Sequence, residues 1–387
     1  MKIVIAPDSY KESLSALEVA TQIELGFREI FPQAQYLKVP MADGGEGTVQ
    51  AMAEATHGRI INADVTGPLG ESVKGFYALT GDGRMAMIEM AAASGLALVA
   101  REQRNPAITT SYGTGELIKA ALDAGARHLI LGIGGSATND GGAGMLQALG
   151  VQLLDASGQA IGPGGAPLAN LARIDVSGMD VRLAACTIEV ACDVDNPLTG
   201  PRGASAIFGP QKGATPEMVQ QLDANLKHFA QIIQRDLGVD VDQVAGAGAA
   251  GGMGAAMMAF FKGQLRPGCE IIAKAVGLDA AVQGASLVIT GEGRIDQQTI
   301  FGKTPFGVAT VARQQGVPVI GIAGSLGQNA HIVHDHGIAA IASVLSRPCT
   351  IQEAVAEAEF NVRSTARNIA AMLAMGQNLN ATSKDSN

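Results

Sequence analysis

Polar residues directly after the opening apolar run, residues 2–6, are the first that could do chemistry. Asp8, Ser9 and Lys11 lie where a strand would give way to a helix. The carboxyl end of a strand in an open α/β sheet faces the ligand crevice, and a helix start offers free N–H groups to an anion. Lys11 would add a positive charge for a phosphate or a carboxylate. An ordinary strand-to-helix turn with a solvated lysine is the alternative.

A similar polar segment follows the apolar run 287–290 and contains Gly291, Glu292, Arg294 and Asp296. A guanidinium can bind a carboxylate or a phosphate through two parallel hydrogen bonds, and a nearby carboxylate can act as a general base. We therefore expect Arg294 to hold an anionic substrate, and we take Asp296 as a candidate base.

Glycines and carboxylates are interleaved in Asp43-Gly44-Gly45-Glu46, which follows the apolar run 34–39. Glycine allows the backbone to come close to a ligand, and carboxylate oxygens can orient a hydroxyl or hold Mg²⁺. Asp43 or Glu46 is thus a candidate magnesium ligand. The alternative is a tight turn in which Asp43 caps the following helix.

The longest polar segment follows the run 128–133, and we predict a ligand-binding loop there. Its candidate binding residues are two glycines and four small polar residues: Gly134, Gly135, Ser136, Thr138, Asn139 and Asp140. The spacing of Gly132, Gly134 and Ala137 also imitates a dinucleotide-binding fingerprint, with Asp155 as the ribose-binding acid, so an NAD-dependent dehydrogenase is the alternative. Against it, polar residues follow the second glycine in place of an apolar helix start.

One more pair of candidates, Asp193 and Asn196, follows the β-like run 188–192. Oxygen ligands of this kind could bind Mg²⁺ or orient a substrate hydroxyl. A simple turn around Pro197 is the alternative explanation.

The apolar runs that precede these segments are continuous, which is typical of strands buried on both faces of a parallel sheet. They cover residues 2–6, 34–39, 128–133, 287–290, 317–322 and 338–344. The sequence predicts helices between several of them, most clearly after Ser15, which forms a capping box with Glu18. Strands, polar turns and helices in alternation predict a doubly wound α/β fold.

Two stretches break this alternation and predict a second domain. Residues 61–98 alternate as in an antiparallel sheet, and residues 151–272 start similarly before an amphipathic helix from Thr215 to Leu237. We expect a Rossmann-like domain with a second, mixed-sheet α/β domain inserted into it and a ligand cleft between the two. The predicted ranges are 1–60, 112–150 and 277–375 for the first domain, 61–111 and 151–276 for the second, and 376–387 for a flexible tail.

The amino-acid composition argues against several classes of protein. Glycine makes up 50 of 387 residues without a collagen period, and 47% of the residues are apolar, so we expect a globular protein with many tight loops. A net charge of −9 is unfavourable for a general nucleic-acid or membrane-surface binder. Four separated cysteines and a short N-terminal apolar run indicate a cytoplasmic protein. The sequence does not decide whether the protein forms a homo-oligomer.

Five motifs, taken together, resemble those of the bacterial type I glycerate kinases and are close to the glycerate 2-kinases. They occur in the family's order and spacing: MKIVIAPDSYKESLSA, ADGGEGT, GGSATNDGG, CDVDNPL and GEGRID. The resemblance extends over the chain to Met375. It implies an ATP-dependent kinase that converts (R)-glycerate to 2-phospho-D-glycerate in the catabolism of sugar acids such as glucarate, galactarate and glyoxylate. A glycerate 3-kinase, which forms 3-phosphoglycerate, is a further alternative.

The resemblance also implies that the predicted strands form one sheet, in which the segments at Asp8 and Gly291 are neighbours, with Asp193 and Asn196 above them. ATP and D-glycerate would be the partners and Mg²⁺ the cofactor. Phosphoryl transfer depends mainly on positioning and charge neutralisation. We therefore expect loop 134–142 to bind nucleotide phosphates, and we assign catalytic roles to Asp8, Lys11, Asp193, Arg294 and Asp296.

Overall fold

The structure is a computed structural model that describes residues 1–384. Its strands, in chain order, are β1 (Lys2–Pro7), β2 (Gln35–Lys38), β3 (Arg59–Thr66), β4 (Ser72–Leu79), β5 (Met85–Glu89), β6 (His128–Gly132), β7 (Gln152–Leu154), β8 (Arg173–Asp175), β9 (Thr187–Ala191), β10 (Gln264–Arg266), β11 (Leu287–Gly291), β12 (Arg294–Ile295), β13 (Val319–Ala323), β14 (Ser325–Leu326) and β15 (Ala340–Ser343).

The α-helices are α1 (Ala16–Arg28), α2 (Thr48–Ala55), α3 (Ala91–Ser94), α4 (Tyr112–Asp123), α5 (Ala143–Ala148), α6 (Ala204–Phe208), α7 (Pro216–Leu237), α8 (Ala249–Phe261), α9 (Gly268–Ala275), α10 (Leu278–Val282), α11 (Thr304–Gln314), α12 (Ile351–Ala356) and α13 (Ala358–Lys384). Short 3₁₀ helices cover Leu96–Leu98, Arg101–Gln103, Ala166–Asn170, Val181–Ala185, Pro210–Lys212 and Ala330–His336. Within residues 1–384, no helix is long and apolar enough to cross a membrane.

The chain folds into two compact units. The first consists of Met1–Asp43, Gln50–Ala55 and the chain from Cys269 onward, and the second consists of Gly44–Val49 and Thr56–Gly268. Both units contain helices and a sheet, so the predicted α/β class is confirmed.

The first unit is built on a five-stranded parallel sheet with the order β15-β13-β11-β1-β2. Residues 3–7 of β1 are all buried, as the continuous apolar run predicts for a strand covered on both faces. Helix α1 begins at Ala16 after the predicted capping box of Ser15 and Glu18, and its apolar face packs with α13 and the sheet. The core of this unit therefore lies directly behind the carboxyl end of β1.

The second unit is built on a six-stranded mixed sheet with the order β10-β9-β6-β5-β4-β3. Strands β3, β4 and β5 pair in antiparallel fashion, as their alternating pattern predicts, whereas β5, β6, β9 and β10 are parallel. Helix α7 agrees with the predicted helix from Thr215 to Leu237: Thr215 is its N-cap, and it ends before Gly238, which has the left-handed conformation. Its buried face, including Leu226 and Phe229, belongs to the main core of this unit.

Two expectations about the layout differ from the structure. We placed the run 128–133 in the Rossmann-like sheet, but β6 pairs with β5 and β9, and residues 112–150 belong to the second unit. The apolar run shows that β6 is buried on both faces, but burial does not specify which strands pair with it. Helix α13 continues to Lys384, so most of the expected tail 376–387 is helical, and residues 385–387 lie outside the described residues.

Candidate active site

The carboxyl ends of β1 and β11 lie side by side in the first unit. Pro7 is paired with Gly291, and the N–H of Asp8 donates to the Gly291 carbonyl at 2.8 Å. A Cβ atom at Gly291 would overlap the carbonyl oxygen of Ile322 on the neighbouring β13, so this strand end requires glycine. The predicted neighbourhood of the Asp8 and Gly291 segments is therefore confirmed.

The Asp8 carboxylate is held in place by two neighbours. Its Oδ2 accepts a hydrogen bond from Thr304 Oγ1 at 2.7 Å, and its Oδ1 accepts from the Ser9 N–H at 2.7 Å and from Ser9 Oγ at 3.3 Å. Burial and, secondly, the negative charge of Asp43 raise the pKa of Asp8 to about 7. Asp8 therefore exchanges its proton near neutral pH.

Glu292 adds a third carboxylate at the same place. It is buried, its Oε1 accepts from Thr299 Oγ1 at 2.6 Å, and its Oε2 lies 3.5 Å from the Nζ atom of Lys303. Burial raises the pKa of Glu292, and the charge of Asp43 adds to that effect. Asp8, Asp43 and Glu292 thus form an acidic cluster in which the charge of Asp43 opposes ionisation of Asp8 and Glu292.

Arg294 begins the short strand β12, which pairs with β14, and Asp296 directly follows that strand. The Arg294 side chain is 64% exposed, and its Nε lies 3.2 Å from Asp296 Oδ2. Asp296 Oδ1 also accepts the N–H of Gln298 at 2.8 Å. The guanidinium is consequently oriented by a carboxylate and remains open to an anionic ligand.

Lys11 lies in the turn between β1 and the helix that we predict after Ser15. Tyr10 and Leu14 exchange backbone hydrogen bonds of 2.8 and 3.0 Å, which closes a tight turn, and α1 begins only at Ala16. The capping box at Ser15 decides where the helix starts, so no helix N-terminus lies at Ser9. Lys11 itself is exposed on that turn.

In the second unit, the segment that contains Gly44, Gly45 and Glu46 is organised by a residue that the sequence analysis missed. Glu89, which ends β5, is buried, and its Oε1 accepts the N–H of Val49 at 2.8 Å. The backbone N–H groups of Gly47 and Thr48 also donate to this carboxylate, and burial, together with the charge of the exposed Glu46, raises its pKa to about 7. The available signal was an acidic residue at the end of a fully apolar run.

Local backbone geometry explains the glycines of this segment. Gly44 has a φ of +89° and lies against Ala191, so that a Cβ atom there would overlap the alanine side chain. The carbonyl oxygen of Gly45 accepts hydrogen bonds from the N–H of Thr48 at 3.3 Å and from its hydroxyl at 2.6 Å. The segment is therefore a tight turn, and the Glu89 carboxylate accepts a hydrogen bond from the Val49 N–H that follows it.

Loop 134–142 has a different character from the one we predicted. Gly134 and Gly135 are exposed, but the side chains of its four polar candidates are buried: Ser136, Thr138, Asn139 and Asp140. Asn139 Nδ2 donates to Ser205 Oγ at 2.9 Å. The surface that a ligand can reach is therefore the backbone of the two glycines.

Asp140 is the internal anchor of this loop. Its Oδ2 accepts the N–H and the hydroxyl of Ser111 at 2.9 and 2.7 Å and the N–H of Gly144 at 3.2 Å. Its Oδ1 accepts the N–H of Gly142 at 3.1 Å. Helix α5 begins only at Ala143, so the glycines that imitate a dinucleotide fingerprint do not lead directly into a helix, which that fingerprint requires.

Asp193 and Asn196 lie on the polar segment after β9. Asp193 is exposed, and its Oδ1 accepts the N–H of Gly268 at 3.1 Å. Asn196 Nδ2 donates to the carbonyl of Arg202 at 2.8 Å, which closes the turn that we named as the alternative. The sequence analysis also missed Lys212, for which the sequence carries no signal and whose buried Nζ contacts loop 134–142.

Residues 3–374 match the model of the glycerate kinase family. The chain belongs to this family. Its relatives include the glycerate 2-kinase of Escherichia coli K12, which is 61% identical over 376 residues (97% of this chain, 99% of that protein). The glycerate kinase of Bacillus subtilis 168 is 58% identical over 379 residues, or 98% of this chain and 99% of that protein.

A crystal structure assigned as glycerate kinase 2 from Salmonella typhimurium LT2 shares this fold. Its TM-score is 0.91 at 63% identity, and the match covers 98% of this chain and 99% of that one. The resemblance to the glycerate kinase family and the mixed α/β fold are therefore confirmed, and the protein is a kinase.

Proposed function

We propose that this glycerate kinase family member is a 2-kinase that transfers the γ-phosphoryl group of ATP to the C2 hydroxyl of (R)-glycerate. The observation that carries the proposal is its near full-length similarity to the Escherichia coli glycerate 2-kinase. The hydroxyl oxygen forms a bond to the γ-phosphorus, the bond from that phosphorus to ADP breaks, and the hydroxyl proton passes to a base. Catalysis then requires a base, cations for the substrate anions, and a rigid phosphate site.

Asp8 is the base that we propose, in place of Asp296. A general base works best when its pKa lies near the working pH, and burial together with Asp43 brings the pKa of Asp8 to about 7. Asp296 is better suited to orient Arg294, because its Oδ2 lies 3.2 Å from the guanidinium Nε. Arg294 and Lys11, both exposed, would bind the substrate carboxylate or a phosphate.

Mg²⁺ supplies charge neutralisation at the phosphates of ATP in kinases. Within residues 1–384, no group of three or more His, Cys, Asp or Glu residues is arranged to hold a metal ion. Magnesium bound with ATP needs only one or two carboxylates, because waters and phosphate oxygens complete its coordination. The acidic cluster fits this donor set, since the carboxylates of Asp8 and Glu292 lie close enough to Asp43 to be affected by its charge. We propose Asp43 as the ligand, with Glu46 as the second candidate.

The exposed backbone of Gly134 and Gly135 is the proposed site for nucleotide phosphates. Gly135 has a φ of +73°, and a Cβ atom at Gly134 would meet no protein atom within 4 Å, so the backbone there is accessible from one side. Small residues of this kind let amide groups approach phosphate oxygens closely. The four free cysteine thiols support a reducing, cytoplasmic location, and the sugar-acid pathway stays a prediction.

A coupled assay tests the proposal. The protein is mixed with ATP, Mg²⁺ and D-glycerate, and enolase is added without a phosphoglycerate mutase, so that only 2-phosphoglycerate yields phosphoenolpyruvate. Product that forms only after the mutase is added would identify a 3-kinase. Glycerate oxidation that depends on NAD and not on ATP would identify the dehydrogenase alternative. The choice of base is tested by comparing Asp8→Asn with Asp296→Asn, of which the first should cause the larger loss of kcat.

A further inference from the structure

Lys212 is a buried lysine beneath loop 134–142 of the second unit. Its exposed fraction is only 2%, and its Nζ donates to Ser136 Oγ at 2.7 Å and to the Thr138 carbonyl at 2.6 Å. A buried ammonium is costly because it loses its hydration, and lysine is almost never fully buried without a specific partner. A purely structural role would be filled at lower cost by an apolar side chain.

The backbone that carries Lys212 is rigid. Lys212 ends the 3₁₀ turn Pro210–Lys212, its N–H donates to the Gly209 carbonyl at 2.9 Å, and the next N–H, of Gly213, donates to Pro210 at 3.1 Å. Gly213 has a φ of +90° and lies against the backbone of Arg104. The rigid backbone therefore holds the Lys212 ammonium group in a fixed position against the loop.

The two contacts of Lys212 lie at the point where the loop changes from exposed to buried. Ser136 follows the exposed Gly135, and the Gly135 carbonyl accepts the N–H of Leu96 at 2.8 Å. Asp140 anchors the far end of the loop through Ser111, Gly142 and Gly144. Lys212 thus supplies the anchor nearest to the two glycines.

The loop needs such an anchor because its conformation has a cost. Thr138 Oγ1 and Asn139 Oδ1 are buried and have no hydrogen-bond partner within the described part of the chain. Unsatisfied buried polar groups destabilise the conformation that contains them. Lys212 offsets this cost through its own two hydrogen bonds. Burial lowers the pKa of Lys212 to about 7, and the negative charge of Asp140 opposes that shift and favours the ammonium form.

We propose that Lys212 is a positioning residue for ATP binding: its ammonium holds Ser136 and Thr138 so that Gly134 and Gly135 present their backbone to the nucleotide phosphates. The inference rests on the proposed function of the loop. It adds a residue that does not touch the reacting atoms and acts through the loop, and its removal should therefore weaken ATP binding more than glycerate binding.

The test compares Lys212→Met, which keeps a long unbranched side chain but removes its charge, with Lys212→Arg and with Ser136→Ala. The matched control is Lys227→Met, an exposed lysine of α7 in the same unit. We expect Lys212→Met to raise the KM for ATP about tenfold or more, as loss of a charged hydrogen bond does, with a much smaller change in the KM for D-glycerate. Lys212→Arg should recover part of the loss, Ser136→Ala should raise the KM for ATP severalfold, and the control should behave as wild type.

Thermal unfolding and direct ATP binding by calorimetry accompany the kinetics. An unchanged KM for ATP in a folded Lys212→Met variant overturns the proposal, and so does an equal loss for both substrates that Lys212→Arg does not recover. If Lys212→Met does not fold, Ser136→Ala decides, and an unchanged KM for ATP overturns the proposal. If the wild type binds ATP but does not phosphorylate glycerate, the proposed function fails, while weaker ATP binding by the variants still supports the role of Lys212.

Discussion

Glu89 at the end of β5 makes the stability of the second unit depend on pH in a way that one substitution can isolate. The residue is 6% exposed, and its Oε1 accepts the N–H of Val49 at 2.8 Å. Burial, reinforced by the charge of Glu46, raises its pKa from 4.5 to about 7. The substitution that isolates this ionisation is Glu89→Gln, which keeps the side-chain shape and cannot ionise.

The direction of the change in unfolding free energy with pH depends on which state, folded or unfolded, binds the Glu89 proton more tightly. The folded state holds the Glu89 proton more strongly than the unfolded state, so the favourable contribution is complete below pH 4.5 and is lost as the pH rises to about 7. At about 1.4 kcal/mol for each unit, the full loss is about 3 kcal/mol. Between about pH 5 and pH 8 we expect wild type to lose about 2 to 3 kcal/mol of unfolding free energy relative to Glu89→Gln.

Urea unfolding followed by circular dichroism at both pH values measures this difference. The amide of the variant still accepts the Val49 N–H but turns an NH₂ group toward the other backbone donors, which adds an offset that does not depend on pH. Asp8 and Lys212 also titrate near neutral pH, but they do so in both proteins and cancel. A difference between the two proteins that stays constant from pH 5 to pH 8 would refute the reasoning.

Three further outcomes are expected. Asp8→Asn should lower kcat by about 100-fold or more, the usual contribution of a general base, and should raise the melting temperature at pH 8, because it removes a carboxyl whose ionisation opposes folding; wild-type kcat would exclude Asp8 as the base. Thr304→Val removes the hydroxyl that donates to Asp8 Oδ2 at 2.7 Å, so the acidic limb of the kcat/KM profile should move to higher pH, and an unmoved limb would contradict the role of that bond. Chelation of Mg²⁺ with EDTA should abolish phosphoryl transfer and added Mg²⁺ should restore it, whereas activity that survives chelation would exclude the metal.

The strands show which structural properties can be predicted from a local sequence pattern. The runs that became β1 and β11 were predicted as buried parallel strands, and they pair with Pro7 opposite Gly291. The run that became β6 has the same apolar pattern but pairs with β5 and β9 in the other sheet. Periodicity reports whether both faces of a strand are buried, whereas the partner of a strand depends on contacts between segments far apart in the chain.

The candidate site residues also divide into those that the local sequence indicates and those that only contacts between distant segments reveal. Residue types after strands indicated Asp8, Asp43, Glu292 and Arg294 as candidates for chemistry, because the carboxyl ends of strands in an open α/β sheet face the ligand crevice. Lys303 and Thr304 were not assigned to the site by that reasoning, although Thr304 donates to Asp8 and Lys303 lies 3.5 Å from Glu292. They are ordinary residues at a helix start until the fold brings α11 to the end of β1.

The sequence by itself determined the family, the alternation of strands and helices, and the positions where the chain carries glycine and charge, since each of these is a local property. Only the tertiary structure decided which charges are buried, and with them the raised pKa of Asp8 and Glu89 and the contact of Lys212 with loop 134–142. The physical reason is that desolvation depends on every atom around a group, and most of those atoms belong to residues distant in the sequence.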